Sequence, residues 1–358
     1  MKKIYMTFCS VLLATGIYAQ HKESQNILDK LIWDDKMLNI MIDTRVDFEA
    51  DIDNGDVGNS SFQAQTFKLW LVGEIVPGVR YRIRHRLNKP QDPLREGYSG
   101  ATDQAWISFD IGEKWTITAG KQSVQFGTFE YDYNPADIYL ATMCFNDLDA
   151  YKTGINAAFK FLDQRVNLQI VNSDAPQFAS SEYSSRALAA NFLWEGSLFK
   201  DMLKTRWAYG IFQHNGDSVY NWITAGTQLN VSEFAAELDY YWGDRNMDYS
   251  SVVGGPGLRY VQDQSLALNL KYDLGKWKPS VKAVWDQRKD KKMDKTAYQD
   301  WGIQALVEYY PFSGLLKDLR FHVSYYYKKT EFKGIFDSMP DNDQHTILAG
   351  MRWFFKAK

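Results

Sequence analysis

The stretch Val-Arg-Tyr-Arg-Ile-Arg-His-Arg-Leu, residues 79–87, carries an arginine at every second position. Alternate side chains of a β-strand point to the same face, and each pair of residues advances the strand by about 6.6–6.8 Å. The arginines would therefore form a ladder about 20 Å long, with a mostly apolar face behind it. This arginine ladder consists of Arg80, Arg82, Arg84 and Arg86. Such a strand suits a water-filled barrel, where the charged face meets water and the other face meets lipid.

The composition of the whole chain agrees with a membrane β-barrel. Of the 358 residues, 45% are hydrophobic and 15% are aromatic, and yet the mean hydropathy is negative. Transmembrane barrels combine these properties because lipid-facing and lumen-facing residues alternate and aromatic residues gather at the membrane interfaces. On composition alone, a soluble all-β protein remains the alternative. The net charge of −3 makes the ladder a local feature, and a nucleic-acid partner is not expected.

The N-terminal residues indicate export from the cytoplasm. Residues 1–19 begin with Met-Lys-Lys, continue with an apolar run and end at Ala19, which is typical of a cleaved secretory signal. Residues 20–37 are polar and are interpreted as a periplasmic lead-in, so that the barrel domain is expected at 38–358. Cys144 would then be the single cysteine of the mature chain, which excludes an intrachain disulfide.

Segments of alternating polarity recur along the chain and predict about sixteen strands. They lie at 38–49, 66–76, 78–87, 103–111, 114–122, 152–161, 164–173, 185–194, 204–213, 219–229, 232–243, 263–274, 276–287, 300–310, 319–330 and 345–355. Short turns alternate with longer polar loops, which are expected at 50–65, 88–102, 123–151, 174–184, 244–262, 288–299 and 331–344. Short periplasmic turns and longer outer loops are the pattern of outer-membrane barrels.

Charged residues on the inner face of many predicted strands require water inside the sheet. The strand at 38–49, for example, places Asp43, Arg45 and Asp47 on one face. Burying a lone charge is very costly, so a dry β-sandwich core is excluded. The predicted fold class is all-β, a 16-stranded antiparallel transmembrane β-barrel in which the third long loop folds inward.

The sequence from Ala119 to Tyr139, Ala-Gly-Lys-Gln-Ser-Val-Gln-Phe-Gly-Thr-Phe-Glu-Tyr-Asp-Tyr-Asn-Pro-Ala-Asp-Ile-Tyr, resembles a segment of the phosphate-selective porin O and P family, with members from Bacteroidetes closest. In that family the segment runs from a strand into the constriction loop. Residues 153–156 and 168–173 are similar to the two strands that follow. The resemblance implies a trimeric, sixteen-stranded barrel in the bacterial outer membrane that passes anions along an arginine ladder.

The resemblance also implies which residues would contact the anion. The ladder is carried over to Arg80, Arg82, Arg84 and Arg86, with Arg45 and Lys68 as additions on neighbouring inward faces. An inward loop opposite these residues would form a constriction with negative charge on the side that faces the arginines. The candidate constriction residues are Phe126, Glu130, Tyr131, Asp132, Tyr133 and Asp137.

The predicted function is passive diffusion of small anions, with phosphate or related oxyanions foremost. Arginine stays charged and presents a planar donor fork that matches phosphate oxygens, and several moderate sites in a row let an ion enter and leave. The inner walls also carry carboxylates, and no dense lysine cluster is visible. The alternative is therefore a general, weakly selective diffusion porin in which the arginines pair with the acidic constriction loop.

Catalytic and metal-binding patterns are weak throughout the chain. The five histidines have no metal-ligand spacing, and no serine partner can be assigned to the outward-facing His85. We predict no enzyme activity, cofactor or metal, although a barrel enzyme or an adhesion protein with a closed lumen remains a rival. The expected partners are small anions, outer-membrane lipid, lipopolysaccharide and further copies of the chain in a homotrimer. The lysine-rich loop at 288–299 would funnel anions, contact lipopolysaccharide or be simply solvated.

Overall fold

A computed structural model describes residues 37–92, 94, 96–175, 177–178, 188–215, 218–248 and 258–357. Within these ranges, sixteen antiparallel strands close into one barrel, so the predicted all-β, 16-stranded antiparallel barrel is confirmed. Each strand pairs with its neighbours in sequence, and the first strand pairs with the last. The predicted signal and nearly all of the lead-in lie outside the described residues.

The strands fall close to their predicted positions. They are β1 (Asn39–Asp53), β2 (Asp56–Val76), β3 (Val79–Arg86), β4 (Thr102–Ile111), β5 (Trp115–Ser123), β6 (Tyr151–Phe161), β7 (Gln164–Asn172), β8 (Leu188–Leu198), β9 (Leu203–Asn215), β10 (Ser218–Val231), β11 (Phe234–Asp248), β12 (Leu258–Tyr272), β13 (Trp277–Asp290), β14 (Lys295–Tyr309), β15 (Leu319–Phe332) and β16 (Asn342–Lys356).

Among the residues that the structure describes, helical structure is confined to short turns in the connections. The α-helix α1 spans Met143–Asp147, and 3-10 turns lie at Pro135–Asp137, Gly314–Leu316 and Gly334–Phe336. Across the described ranges, no helix is long and apolar enough to span a membrane. The same ranges contain no group of three or more histidine, cysteine or acidic side chains that could hold a metal ion.

The two faces of the barrel wall differ in polarity. Along β1, Asp43, Arg45 and Asp47 are buried, whereas the residues between them are partly exposed. Large apolar side chains such as Ile155 and Val323 are more than half exposed. In a closed barrel the outer surface has no neighbouring element, so the buried polar face is the lumen side and the exposed apolar face is the outer surface.

The predicted long loop at 50–65 is wrong. β1 continues to Asp53 and β2 begins at Asp56, so that only Asn54 and Gly55 form the turn, with φ values of 52° and 86°. Asn-Gly is itself a strong signal for such a hairpin. The apolar alternation ends near residue 49, but backbone pairing between the strands continues to Asp53 and Asp56. The loop predicted at 288–299 likewise shrinks to residues 291–294, between β13 and β14.

Candidate functional site

The connection between β5 and β6, called segment 124–150 below, begins with a sharp turn against the inner face of the wall. Gly127 and Thr128 both have positive φ, at 75° and 61°. A Cβ on Gly127 would lie 2.5 Å from Thr224 Oγ1, so glycine is required for space as well as for conformation. On β10, a Cβ on Gly226 would lie 2.7 Å from Thr128 Cα. Small residues on the turn and on the wall therefore allow this close approach.

Backbone amides just after the turn are bound by a carboxylate of β11. Asp239 accepts hydrogen bonds from the amide nitrogens of Phe129 and Glu130, both at 2.8 Å. The Glu130 carboxylate in turn binds Lys282 Nζ at 2.6 Å and the Thr142 amide at 3.0 Å. Glu130, a candidate constriction residue, is therefore buried in a network that joins two parts of the segment to the wall.

A second ionic cluster holds the end of α1. Asp147 binds the Arg245 and Arg288 guanidiniums at 2.6 and 2.8 Å. Both arginines also bind Asp263, at 2.5 and 2.8 Å. The side chain of Arg245 is 2% exposed and that of Arg288 is fully buried. Buried ions are tolerated only when they are paired in this way. Sequence reasoning missed Arg245 and Arg288, because both fall in predicted loops, at 244–262 and 288–299, whereas β11 and β13 continue through them.

Two further acidic candidates of segment 124–150 are bound by arginines outside the predicted ladder. Asp137 pairs with Arg320 on β15 and with Arg352 on β16. Asp132 lies 3.2 Å from the Arg206 guanidinium on β9. The negative charges of the segment are therefore matched by arginines from other parts of the wall.

Arg45 and Lys68, the two additions to the ladder, contact the same segment through neutral atoms. Arg45 Nη1 donates to the carbonyl oxygens of Ala136 and Ile138 at 3.1 and 3.4 Å. Lys68 Nζ donates to Asn134 Oδ1 at 3.1 Å. Both side chains are almost fully buried. Their position points to a role in holding the segment.

Three of the ladder arginines bind aspartates of the adjacent strand β4. Arg84 and Arg86 lie 3.1 and 2.8 Å from the same oxygen of Asp103, and Arg80 lies 2.6 Å from Asp110. Asp103 sits at a register shift between β3 and β4, where an extra residue interrupts the pairing. These contacts differ from the pairing with the acidic loop that the alternative function requires.

Aromatic rings surround the middle of the ladder. The Arg82 guanidinium lies 4.9 Å from the ring centroid of Trp106. The Arg84 guanidinium lies 5.0 Å from the ring centroid of Trp70 and 4.7 Å from that of Tyr151. Cation–π contacts at these distances hold the guanidinium groups against the wall and keep their charge. The aromatic partners were not predicted from the sequence.

A cavity of about 250 Å³ lies between this part of the wall and segment 124–150. Arg82 and Arg84 line it on the wall side. Four of the six predicted constriction residues line it as well, and they are Tyr131, Asp132, Tyr133 and Asp137. The structure thus brings the middle of the ladder and part of the predicted constriction to one cavity.

Phe126 belongs to an apolar cluster rather than to the cavity lining. Its ring is stacked on Phe212 with centroids 5.4 Å apart and contacts the edge of Trp222 at 6.0 Å. The cluster also includes Phe178 and Cys144, and all five side chains are at least 97% buried. Packed apolar side chains therefore occupy the space between segment 124–150 and the β9–β10 wall.

Comparison with known proteins identifies the family. The model of the phosphate-selective porin O and P family matches residues 38–253, whereas no curated protein matches the chain. Among solved structures, the anion-selective porin of Comamonas acidovorans is similar with a TM-score of 0.59 and 12% identity, covering 89% of this chain and 99% of that one. The outer membrane channel DcaP of Acinetobacter baumannii has a TM-score of 0.60 and 13% identity, covering 88% and 97%.

A trimer form of OmpT, an outer membrane protein of Vibrio cholerae, has a TM-score of 0.60 and 10% identity, covering 88% of this chain and 99% of that one. At these identities the structures establish the fold, which they share with the chain over nearly its whole described length. The family match covers more than half of the sequence and includes the ladder and segment 124–150. The chain therefore belongs to the phosphate-selective porin O and P family, and it is a porin of the bacterial outer membrane rather than an enzyme.

Proposed function

We propose that this porin lets small anions, phosphate and related oxyanions among them, diffuse passively along the arginine ladder. We also infer that segment 124–150 folds into the lumen and narrows it to a passage beside Arg82 and Arg84. The observation that carries the proposal is the cavity between these arginines and the segment. The passage needs no energy input, because the solute moves down its concentration gradient.

The charge balance around the cavity favours anions. Its charged lining consists of Arg82, Arg84, Arg165, Arg206, Asp132, Asp137 and Glu195. Asp137 is also bound by Arg320 and Arg352, neither of which is among the residues that line the cavity. Positive charge therefore predominates, and a narrow passage with low-dielectric walls strengthens its effect on passing ions. Arginine is weakly hydrated and matches the geometry of carboxylate and phosphate oxygens.

The wall aspartates moderate the attraction. Asp103 lies beside Arg84 and Arg86, so an anion at either position meets less than the full charge of two guanidiniums. Conduction requires sites that are weak enough to release the ion. The same aspartates also support the second candidate, a general porin with little anion preference, because they neutralise part of the ladder.

We further propose that the porin assembles as a homotrimer whose apolar outer surface contacts outer-membrane lipid and lipopolysaccharide. The trimer form of the Vibrio cholerae OmpT supports this assembly. Sedimentation of the detergent-solubilised protein would test it: a mass of three chains is expected, whereas the mass of a single chain would contradict it.

The test of anion passage is the reversal potential of the purified porin in a planar bilayer under a KCl gradient. We expect chloride selectivity, a reduced chloride current when phosphate is added, and a several-fold lower chloride-to-potassium permeability ratio in Arg82→Ala and Arg84→Ala. Arg259→Ala is the matched control, because Arg259 lies on β12 and its side chain is 40% exposed. A pore that is indifferent to ion sign in the wild type and in both ladder variants would contradict the proposal and favour the general porin.

A further inference from the structure

We propose that the cavity contains a subsite for organic anions in which an oxyanion group is joined to a flat aromatic part, and that it prefers these to inorganic phosphate. The subsite is formed by Arg82 and Arg84 with the rings of Trp70 and Trp106. This inference rests on the proposed function, since it names the class of anion that the passage accepts best.

Buried hydrogen-bond donors indicate that the subsite receives an acceptor. Trp70 Nε1 and Arg84 Nη2 have no hydrogen-bond partner within the described part of the chain. Both residues are only 4% exposed, and both line the cavity. Leaving a buried donor without an acceptor costs free energy. Both donor atoms have almost no accessible surface, so an oxygen of a carboxylate or a phosphate group would satisfy them after a rotation of the side chain toward the cavity.

The remaining surface near these donors is aromatic. The Arg82 guanidinium lies 4.9 Å from the Trp106 centroid and 5.8 Å from the Trp70 centroid, and Tyr151 lies 4.7 Å from the Arg84 guanidinium. Trp106 and Tyr151 also line the cavity. An anion in this place meets guanidinium donors and aromatic rings side by side. The site therefore combines charge recognition with a flat apolar surface.

Inorganic phosphate fits such a site only in part. Its oxygens point in all directions, and those that face the rings would lose water without gaining a donor, which is unfavourable. An aromatic group attached to the oxyanion instead places carbon against the rings of Trp70 and Trp106. Aromatic pairs are favourable when their centroids are about 4.5–7 Å apart. The alternative is that the rings only hold the guanidiniums in place, in which case the organic part adds nothing.

The experiment compares phenyl phosphate with methyl phosphate as blockers of the chloride current through the full-length porin in a planar bilayer. The two esters have the same anionic group and differ in the presence of a ring. We expect half-block at an about tenfold lower concentration of phenyl phosphate, which corresponds to a stacking gain of about 1.4 kcal/mol. Inorganic phosphate is expected to be a weaker blocker than phenyl phosphate.

Variants of the ring link this preference to the subsite. Trp106→Leu should bring the two half-block concentrations close together, and Trp106→Phe should retain part of the difference. Trp301→Leu is the matched control, because Trp301 is 42% exposed on β14. The Phe variant keeps the test valid if the Leu variant does not fold.

The outcomes separate this inference from the function on which it rests. An anion-selective pore that both esters block equally would overturn the subsite and leave the proposed function intact. A preference for phenyl phosphate that survives Trp106→Leu in a folded pore would also overturn it. A wild-type pore without anion selectivity would overturn the proposed function and the subsite together.

Discussion

Arginines of the β9–β16 wall bind carboxylates of segment 124–150, whereas three arginines of the ladder on β3 bind aspartates of β4 and two lie against aromatic rings. Arg288 on the first side contacts Asp147 of the segment, and Arg84 on the second contacts Asp103 of the wall. The first arrangement fixes the segment in place. The second leaves guanidiniums beside the cavity. The same residue type therefore serves structure on one side of the lumen and, in our proposal, transport on the other.

The largest effect on stability is expected when an arginine that binds segment 124–150 is removed. Arg288→Leu leaves the buried Asp263 and the partly exposed Asp147 with one guanidinium fewer, and we expect the free energy of unfolding to fall by about 3–5 kcal/mol. Urea titration in detergent micelles, followed by tryptophan fluorescence, measures it. Lys289→Ala is the control, since its side chain is 33% exposed and pairs with the exposed Asp294. An equal loss in both variants would contradict a structural role specific to Arg288.

A smaller effect is expected from crowding the contact between the segment and the wall. In Gly226→Val the new side chain meets Thr128, and overpacking of this kind costs about 1–3 kcal/mol. The readout is the Cys144 thiol, which is fully buried and whose pKa burial raises well above its usual value, so that it reacts slowly with maleimides. We expect faster labelling in the variant.

Ala225→Val is the control for this experiment, because Ala225 immediately precedes Gly226 on β10 and points to the opposite face. It should leave the labelling rate of Cys144 unchanged. Unchanged labelling in Gly226→Val would mean that the segment does not depend on this close contact with the wall.

The smallest effect is expected within the ladder itself. Arg80 binds Asp110, and its side chain is 40% exposed. Water and salt screen such an exposed charge. Arg80→Ala should therefore lower the chloride-to-potassium permeability ratio less than Arg82→Ala, as measured by reversal potentials at matched salt. If both substitutions had equal effects, the ladder would act along its whole length instead of mainly at the cavity.

The sequence predicted which residues of the barrel wall face the lumen far better than it predicted which side chains those residues contact. Alternation along each strand determines which residues face the lumen, and it placed Asp43, Arg45 and Lys68 correctly on the buried face. It carries no information on which distant side chain fills the space opposite. Asp103 illustrates the limit: counting by twos from Gln104 turns it outward, but the register shift between β3 and β4 brings it to Arg84 and Arg86.

The seam of the barrel, where β1 pairs with β16, has a consequence for assembly. Arg45 lies opposite Arg352 across this seam, and the two bind successive residues of one turn, the carbonyl of Ala136 and the carboxylate of Asp137. One turn of segment 124–150 thus binds both the first and the last strand of the barrel. Contacts between residues so far apart in sequence form slowly, because the intervening chain must first be ordered. Closure of the barrel between β1 and β16 is therefore coupled to docking of segment 124–150, so that an open barrel is disfavoured as an end product of folding.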